Sequence, residues 1–483
     1  MGCVSLSATG SRVRPTSALT AGVWFWRVRS RVGGVIGTRT SPVWWFRVGH
    51  ADAAVDTFHG VELDVNGDGY GDVAVGAPDA SPGGRTNAGV IYLFLGSPAG
   101  LASAPTQIVE GVAAGDGLGT RLGAAGDVNG DGLVDLIAAR PGGFVDVYVG
   151  ALAGVRMTPI STLSAAAARH GFGASIAAAG DVDGDGYGDI VVGAASFDDL
   201  GTLPPGTASI HQGSLTGVSV TPLVEWMGTP SADYFGWVVA GAGDVNGDRL
   251  ADVVVGEYDA RDSLMRAAGA AHLFVGRRAA PLSTTAQRIV RGSYDNSGFG
   301  GAVLGSSDVN GDGYSDLLVA AHRGDALPTT FIPVLYAYLG SADGAAASAV
   351  TTAGITAGPG VLVDAGDMNH DGRSDVLWSN AYVTSGEREV GQILLMQTPT
   401  STSPLQNIRQ WYGQTMLQQL GTCTGAADVN GDGWFDLLAT DQTFITPGRL
   451  HWFVGGAAAP ASAPMRTYTS AVTAERFGVA MAQ

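Results

Sequence analysis

Asp64-Val65-Asn66-Gly67-Asp68-Gly69-Tyr70-Gly71-Asp72 is a nine-residue stretch that returns six more times in the chain. The further copies are Asp127–Asp135, Asp181–Asp189, Asp244–Asp252, Asp308–Asp316, Asp367–Asp375 and Asp428–Asp436. The pattern is D-x-[ND]-x-D-G-x-x-D, broken once by Arg249 at its sixth position, and successive copies start 54 to 64 residues apart. A repeat of that period decides the fold before any local reading does.

Positions 1, 3 and 5 put three oxygen-bearing side chains on one tight turn. Position 6, glycine in six copies, suits a residue held at positive φ. Position 7 can offer its backbone carbonyl, and the Asp at position 9 can close the shell from the far side. Hard oxygens at this density suit Ca²⁺, which takes about 6–8 of them, better than Mg²⁺ with its strict octahedron and retained waters. An EF-hand is excluded, since position 12 is apolar (Val75, Ala138, Val192, Val255, Val319, Trp378, Ala439) where that motif needs a bidentate Glu. Each loop instead runs into a short apolar stretch such as Ile190-Val191-Val192, so it reads as a connection between two strands. The competing reading is a set of metal-free Asp/Asn-Gly turns. Charge weighs against it. Each loop gathers three carboxylates, and the third gathers four (Asp181, Asp183, Asp185, Asp189). Like charges this close repel unless a cation sits among them.

The 483 residues carry a formal charge of −18, and the seven loops hold 22 of the 44 acidic residues. Seven divalent ions would add fourteen positive charges and bring the total to −4. The acidity therefore belongs to the loops, and it argues against nucleic acid as a ligand. The chain has no Lys; all 26 basic residues are Arg. Its two cysteines, Cys3 and Cys423, are too few for a disulfide framework, and Cys423 reads as a small buried residue in a strand. No run of about 20 apolar residues is present to span a membrane.

Residues 1–52 stand apart as a leader, read as disordered or as a start placed upstream of the true one. Residues 1–50 hold seven Arg, no Asp or Glu, and two Trp-rich patches (Trp24-Phe25-Trp26 and Trp44-Trp45-Phe46), and they match a secretory signal poorly. From residue 53 to 483 the unit is regular. A strand opens on an aromatic-Gly pair (Phe172-Gly173, Phe235-Gly236, Phe299-Gly300), the Asp loop follows, and a second strand ends in a corner such as Gly76-Ala77-Pro78. A third strand (Val90–Leu95) and a more polar fourth (Gln107–Glu110) complete it. Four short strands per roughly 60 residues, with no helical pattern between them, make one propeller blade.

The order Phe-Gly, Asp-rich loop, Gly-Ala-Pro resembles the FG-GAP repeat of integrin α-chain β-propellers and their bacterial relatives. The resemblance covers about 53–483 and implies an all-β, seven-bladed propeller of four-stranded blades. It places Ca²⁺, up to seven ions, in the hairpin between the first and second strands of a blade. The ligands it implies are Asp64, Asn66, Asp68 and Asp72; Asp127, Asn129, Asp131 and Asp135; Asp181, Asp183, Asp185 and Asp189; Asp244, Asn246, Asp248 and Asp252; Asp308, Asn310, Asp312 and Asp316; Asp367, Asn369, Asp371 and Asp375; and Asp428, Asn430, Asp432 and Asp436. Departures carry their own expectations. Leu118-Gly119, Pro359-Gly360 and Leu420-Gly421 replace Phe-Gly, which predicts poorer packing at the centre. Arg249 predicts strain and the weakest site, while His370 at position 4 of the sixth loop reads as a solvated turn residue.

The chain ends on Arg476-Phe477-Gly478-Val479-Ala480-Met481-Ala482, a first strand with no loop after it. It is expected to complete the first blade and close the ring; the competing reading is a missing eighth repeat. No zinc-type His spacing, G-x-S-x-G elbow or phosphate loop points to catalysis. Arg323-Gly324-Asp325, a tripeptide that many integrin ligands present, reads as a chance turn. The functional expectation is a secreted or cell-surface calcium-binding propeller, without catalysis. It would bind a protein or glycan on the face opposite the loops, built by segments such as Pro78–Asn87 and Tyr258–Arg266 with Trp226, Tyr234, Tyr294, Trp411 and Tyr412. The alternatives are a lyase-like polysaccharide enzyme and a multivalent lectin.

Overall fold

In the computed structural model, the described residues are 22–26, 29–32, 35–40, 44–48, 63–165, 171–195, 204–228, 234–261, 267–278, 282–293, 297–324, 331–353, 360–385, 388–398, 403–414, 418–442, 447–456, 460–471 and 475–482. They are all-β, with one 3₁₀ turn at Pro82–Gly84. Seven antiparallel four-stranded sheets form the blades of a propeller ring. The third blade shows the plan: Phe172–Gly180, Asp189–Ala194, Thr207–His211 and Val224–Met227, hydrogen-bonded in that order. The second strand is buried along its whole length in this blade and in most others, which is why it reads as an unbroken apolar run. The fourth strand alternates buried and exposed residues, as its polar composition requires. In the leader, Gly22–Trp26 pairs with Trp44–Val48, and Arg29–Val32 with Val35–Thr40.

The core lies between blades. Seven buried apolar clusters each join one sheet to the next, and one of them joins the last blade to the first through Val73, Val75, Leu438, Trp452 and Phe477. First strands of successive blades touch one another around the ring, so they line its centre. The first blade is assembled from both ends of the propeller: Ala480–Ala482 pairs antiparallel with Val73–Ala77, with Met481 opposite Val75. The expected ring closure is therefore present. Leu118 and Leu420 are buried to 2% and 4%, as deeply as Phe299 and Phe235 at 1% and 3%. The leucines fill the same place as the aromatic rings, so no looser centre follows from them. Cys423 is partly exposed and sits just before the strand Thr424–Ala427, not in it. Pro359 and Tyr294 lie outside the described residues.

Candidate metal centre

Each nine-residue loop leads out of the first strand and into the second; the loop at Asp64–Asp72 enters Val73–Ala77, which pairs with the C-terminal strand instead. The loops hold their shape through their own side chains. In the second loop the carboxylate of Asp127 accepts the N–H groups of Gly130, Asp131 and Gly132 at 2.7, 3.0 and 2.8 Å. Asn129 accepts from the Asp131 N–H at 2.8 Å, and Asp131 from the Leu133 N–H at 3.0 Å. The same bonds recur in the fourth loop on Asp244, Asn246 and Asp248, and in the seventh on Asp428, Asn430 and Asp432. The turn thus curls around its own side-chain oxygens. That curl demands left-handed backbone at two positions. Position 6 has φ between 83° and 94° at its glycines, and Arg249 follows at 69°. Position 4, glycine in six loops at 69–81°, is His370 in the sixth at 60°. The sequence reading recognised the demand at position 6 and missed it at position 4.

His370 corrects a second expectation. It is no solvated turn residue: its ring stacks on Trp434 at 3.8 Å and 7°, and its Nε2 lies 2.8 Å from the Gly433 carbonyl.

The position-9 carboxylates are the buried members. Asp72, Asp135, Asp189, Asp252, Asp316 and Asp436 are fully buried, and Asp375 is 1% exposed. Each ties its loop to the sheet. Asp72 accepts the Val65 N–H at 3.0 Å and the Gly96 N–H at 2.9 Å, and the pair of bonds repeats on Asp135, Asp189, Asp252 and Asp316. Burial, reinforced by the other loop carboxylates, pushes Asp72, Asp189 and Asp375 up to about 8. Burial is again the main cause for Asp135 and Asp436, raised to about 7. Asp252 and Asp316 are raised well above the ordinary carboxylate range. These groups resist ionisation unless a positive charge joins them.

The donor set fits a divalent cation. In the third loop, one oxygen each from Asp181, Asp183 and Asp189 lies within 4.8 Å of the others, the one such acidic trio among the described residues. Elsewhere position 3 is Asn, an oxygen donor without the charge. In the seventh loop Asp436 Oδ2 is buried beside the Trp452 indole N–H, which favours its ionised form against the effect of burial. A single neutral donor offsets that burial only in part, and a cation ligated there would favour the carboxylate further. All 28 residues singled out from the sequence stand in these seven loops.

The aromatics proposed for the opposite face divide. Trp226 is buried and stacks on Phe274 at 4.0 Å, and Trp411 is buried with its ring edge toward Phe453, so both pack blades. Tyr234 instead groups with Tyr258 and with Trp237, which the sequence reading did not single out, their ring centroids 5.9–6.4 Å apart at the strand end away from the loop. Trp237 and Tyr258 are each 38% exposed. The second strand of the fifth blade runs on through Arg323 and Gly324, paired with Ile332 and Phe331, so those two belong to a strand; Asp325 lies outside the described residues. Sequence reasoning also missed two buried acid–imidazole pairs, Glu257–His272 at 2.7 Å and Asp441–His451 at 2.8 Å. No helix among the described residues is long and apolar enough to cross a membrane.

Comparison with known proteins agrees with this geometry. Residues 127–192 and 308–378 match a model described as FG-GAP-like repeat, and residues 61–94 match one described as FG-GAP repeat. Integrin alpha-PS5 of Drosophila melanogaster is 32% identical over 168 residues, covering 30% of this chain and 17% of that protein. Integrin alpha-IIb of Mus musculus is 35% identical over 144 residues, covering 27% of this chain and 14% of that protein. Integrin alpha-PS2 of Drosophila melanogaster is 60% identical over 47 residues, 10% of this chain and 3% of that protein. The matches thus span under a fifth of the relatives' own length. With seven Asp loops on seven closed blades, the chain is an FG-GAP repeat protein with an integrin α-like β-propeller.

Proposed function

We propose that this propeller is a calcium-binding adhesion module, displayed outside the cell or on its surface, that captures a protein ligand and catalyses nothing. The observation that carries the reading is the set of seven position-9 carboxylates, buried and resistant to ionisation beside further acids. Ca²⁺ is the ion whose oxygen-rich, flexible coordination suits such loops, with up to seven held. Millimolar extracellular calcium would fill weak sites that a cytosol would leave bare. Likeness to integrin α chains supports a protein ligand. On this reading the Tyr234–Trp237–Tyr258 group, with Trp237 and Tyr258 exposed, would serve as an aromatic anchor of the type that dominates binding energy at interfaces, on the face opposite the loops.

Isothermal titration of the chelator-stripped chain with CaCl₂ tests the ion, and the expected result is several bound per chain. Heat release no greater than that of a chain with all seven position-9 Asp residues changed to Asn would refute it. Capture of surface proteins from intact cells by the calcium-loaded chain, lost with Trp237→Ala and Tyr258→Ala, tests the face. Equal capture by that double variant would remove the face from the proposal.

A further inference from the structure

Neighbouring loops touch one another around the ring. At six junctions the N–H of position 8 donates to the backbone carbonyl of the position-1 Asp in the preceding loop. Val134 bonds Asp64 at 3.3 Å, Ser374 bonds Asp308 at 2.8 Å, and Gly71 bonds Asp428 at 3.0 Å across the ring closure. The side chain at position 7 covers position 4 of that same preceding loop. A Cβ on Gly67 would stand 2.6 Å from Leu133 Cδ2, and one on Gly431 2.4 Å from Tyr70 Cε1. At the junction of the sixth and seventh loops, position 4 is a side chain instead of glycine. His370 stacks on Trp434, the position-7 residue, and its Nε2 meets the carbonyl of Gly433 just before it.

We infer that His370 is a positioning residue through which ion occupancy of the sixth loop raises ion affinity in the seventh, one junction of a coupling that runs between neighbouring loops. The inference rests on the calcium reading above. His370 stands between Asn369 and Asp371, two implied ligands of the sixth loop, so an ion held there fixes its backbone. Its ring then fixes Gly433 and Trp434, and the Trp434 carbonyl is the backbone oxygen that position 7 offers in the seventh loop. A coupling of this kind is reciprocal. His370 thus replaces a passive glycine contact with a stack plus a hydrogen bond.

Terbium is the probe, because Trp434 is placed to sensitise a lanthanide in its own loop. In the full chain, the tryptophan-excited terbium emission that disappears with Asp432→Asn, a change of an implied ligand of the seventh loop alone, reports the seventh loop. Asp371→Asn and, separately, Asp367→Asn cripple the sixth loop; using both guards against one of them misfolding. Each is expected to raise the terbium midpoint at the seventh loop by at least about 5-fold, the lower end of ordinary coupling between sites. His370→Gly should do the same, His370→Phe should recover much of the loss by keeping the stack, and Asp371→Asn should add nothing to His370→Gly. A midpoint unmoved by Asp371→Asn, Asp367→Asn and His370→Gly would overturn the coupling, provided equilibrium dialysis shows one ion fewer bound by the Asp variants. Failure of the calcium reading looks different: the unaltered chain would then bind no terbium in dialysis, and the coupling would fall with it.

Discussion

Arg249 occupies a place that six other loops give to glycine, and it adopts the same left-handed turn, with φ of 69°. An L-residue there carries roughly 1–2 kcal/mol of backbone strain. The turn is kept because the Arg249 N–H still donates to Asp244 at 2.8 Å, as the glycine N–H does in sister loops. The Arg249→Gly chain should be more stable by about 1 kcal/mol in chelator, read from denaturant unfolding, since relief of strain competes with the extra chain entropy of glycine. It should also bind calcium more tightly at the fourth loop, because a cationic side chain leaves the site. A calcium titration unchanged from that of the parent chain would show that Arg249 does not weaken its loop. Position 6 was legible because one exception stood out against six glycines. Position 4 had the same signature, with His370 as the exception, but no chemistry in the sequence said that a turn residue would reach the next loop, 63 residues on at Gly433.

The loop and the strand after it form one element, pinned by the position-9 Asp. The second strands were readable because each is a short unbroken apolar run along a single stretch, as a strand buried on both faces must be. Bonds between positions far apart left no such trace. The Asp72 contact with Gly96 and the Asp441 pairing with His451 depend on how a third strand folds back, and spacing alone does not reveal it. The pinning has a pH consequence. Asp72, Asp189 and Asp375 titrate near 8 and Asp135 and Asp436 near 7 in the folded chain, against an ordinary value of 3.8. The folded state therefore holds more protons than the unfolded state between those limits. Stability without metal is full below about pH 4 for these groups and is lost as pH rises toward 8. With chelator present, the melting temperature should fall steadily from pH 5 to pH 8. In excess CaCl₂ the trend should reverse, since a bound cation favours the ionised carboxylate. A melting temperature that rises with pH in chelator would contradict the burial of these acids.

The ring closes through eight residues at the far end of the propeller. Glu475 accepts from the Tyr92 hydroxyl at 3.2 Å, Arg476 grips Asp79 with two hydrogen bonds, and Phe477 is 1% exposed between Tyr92 and Tyr468. Ala480–Ala482 then supplies the innermost strand of the first blade. These contributions differ in size. The Arg476–Asp79 pair is partly exposed, so Arg476→Ala should cost no more than about 1 kcal/mol. Phe477 is a packed core side chain joining the first and last blades, and Phe477→Ala should cost about 3–5 kcal/mol. Deleting 473–483 removes the strand as well. It uncovers the edge of Val73–Ala77, a fully buried apolar strand, and such an edge pairs readily with another chain. The truncated chain should melt far below the parent, even in saturating calcium, and should associate on a sizing column. Calcium cannot compensate, because the loops hold neighbouring blades at one face while the missing strand lines the centre of the ring. If the truncated chain melts with the parent and runs as the same species, the sheet pairing across the closure contributes nothing, and each blade would have to be stable on its neighbours alone.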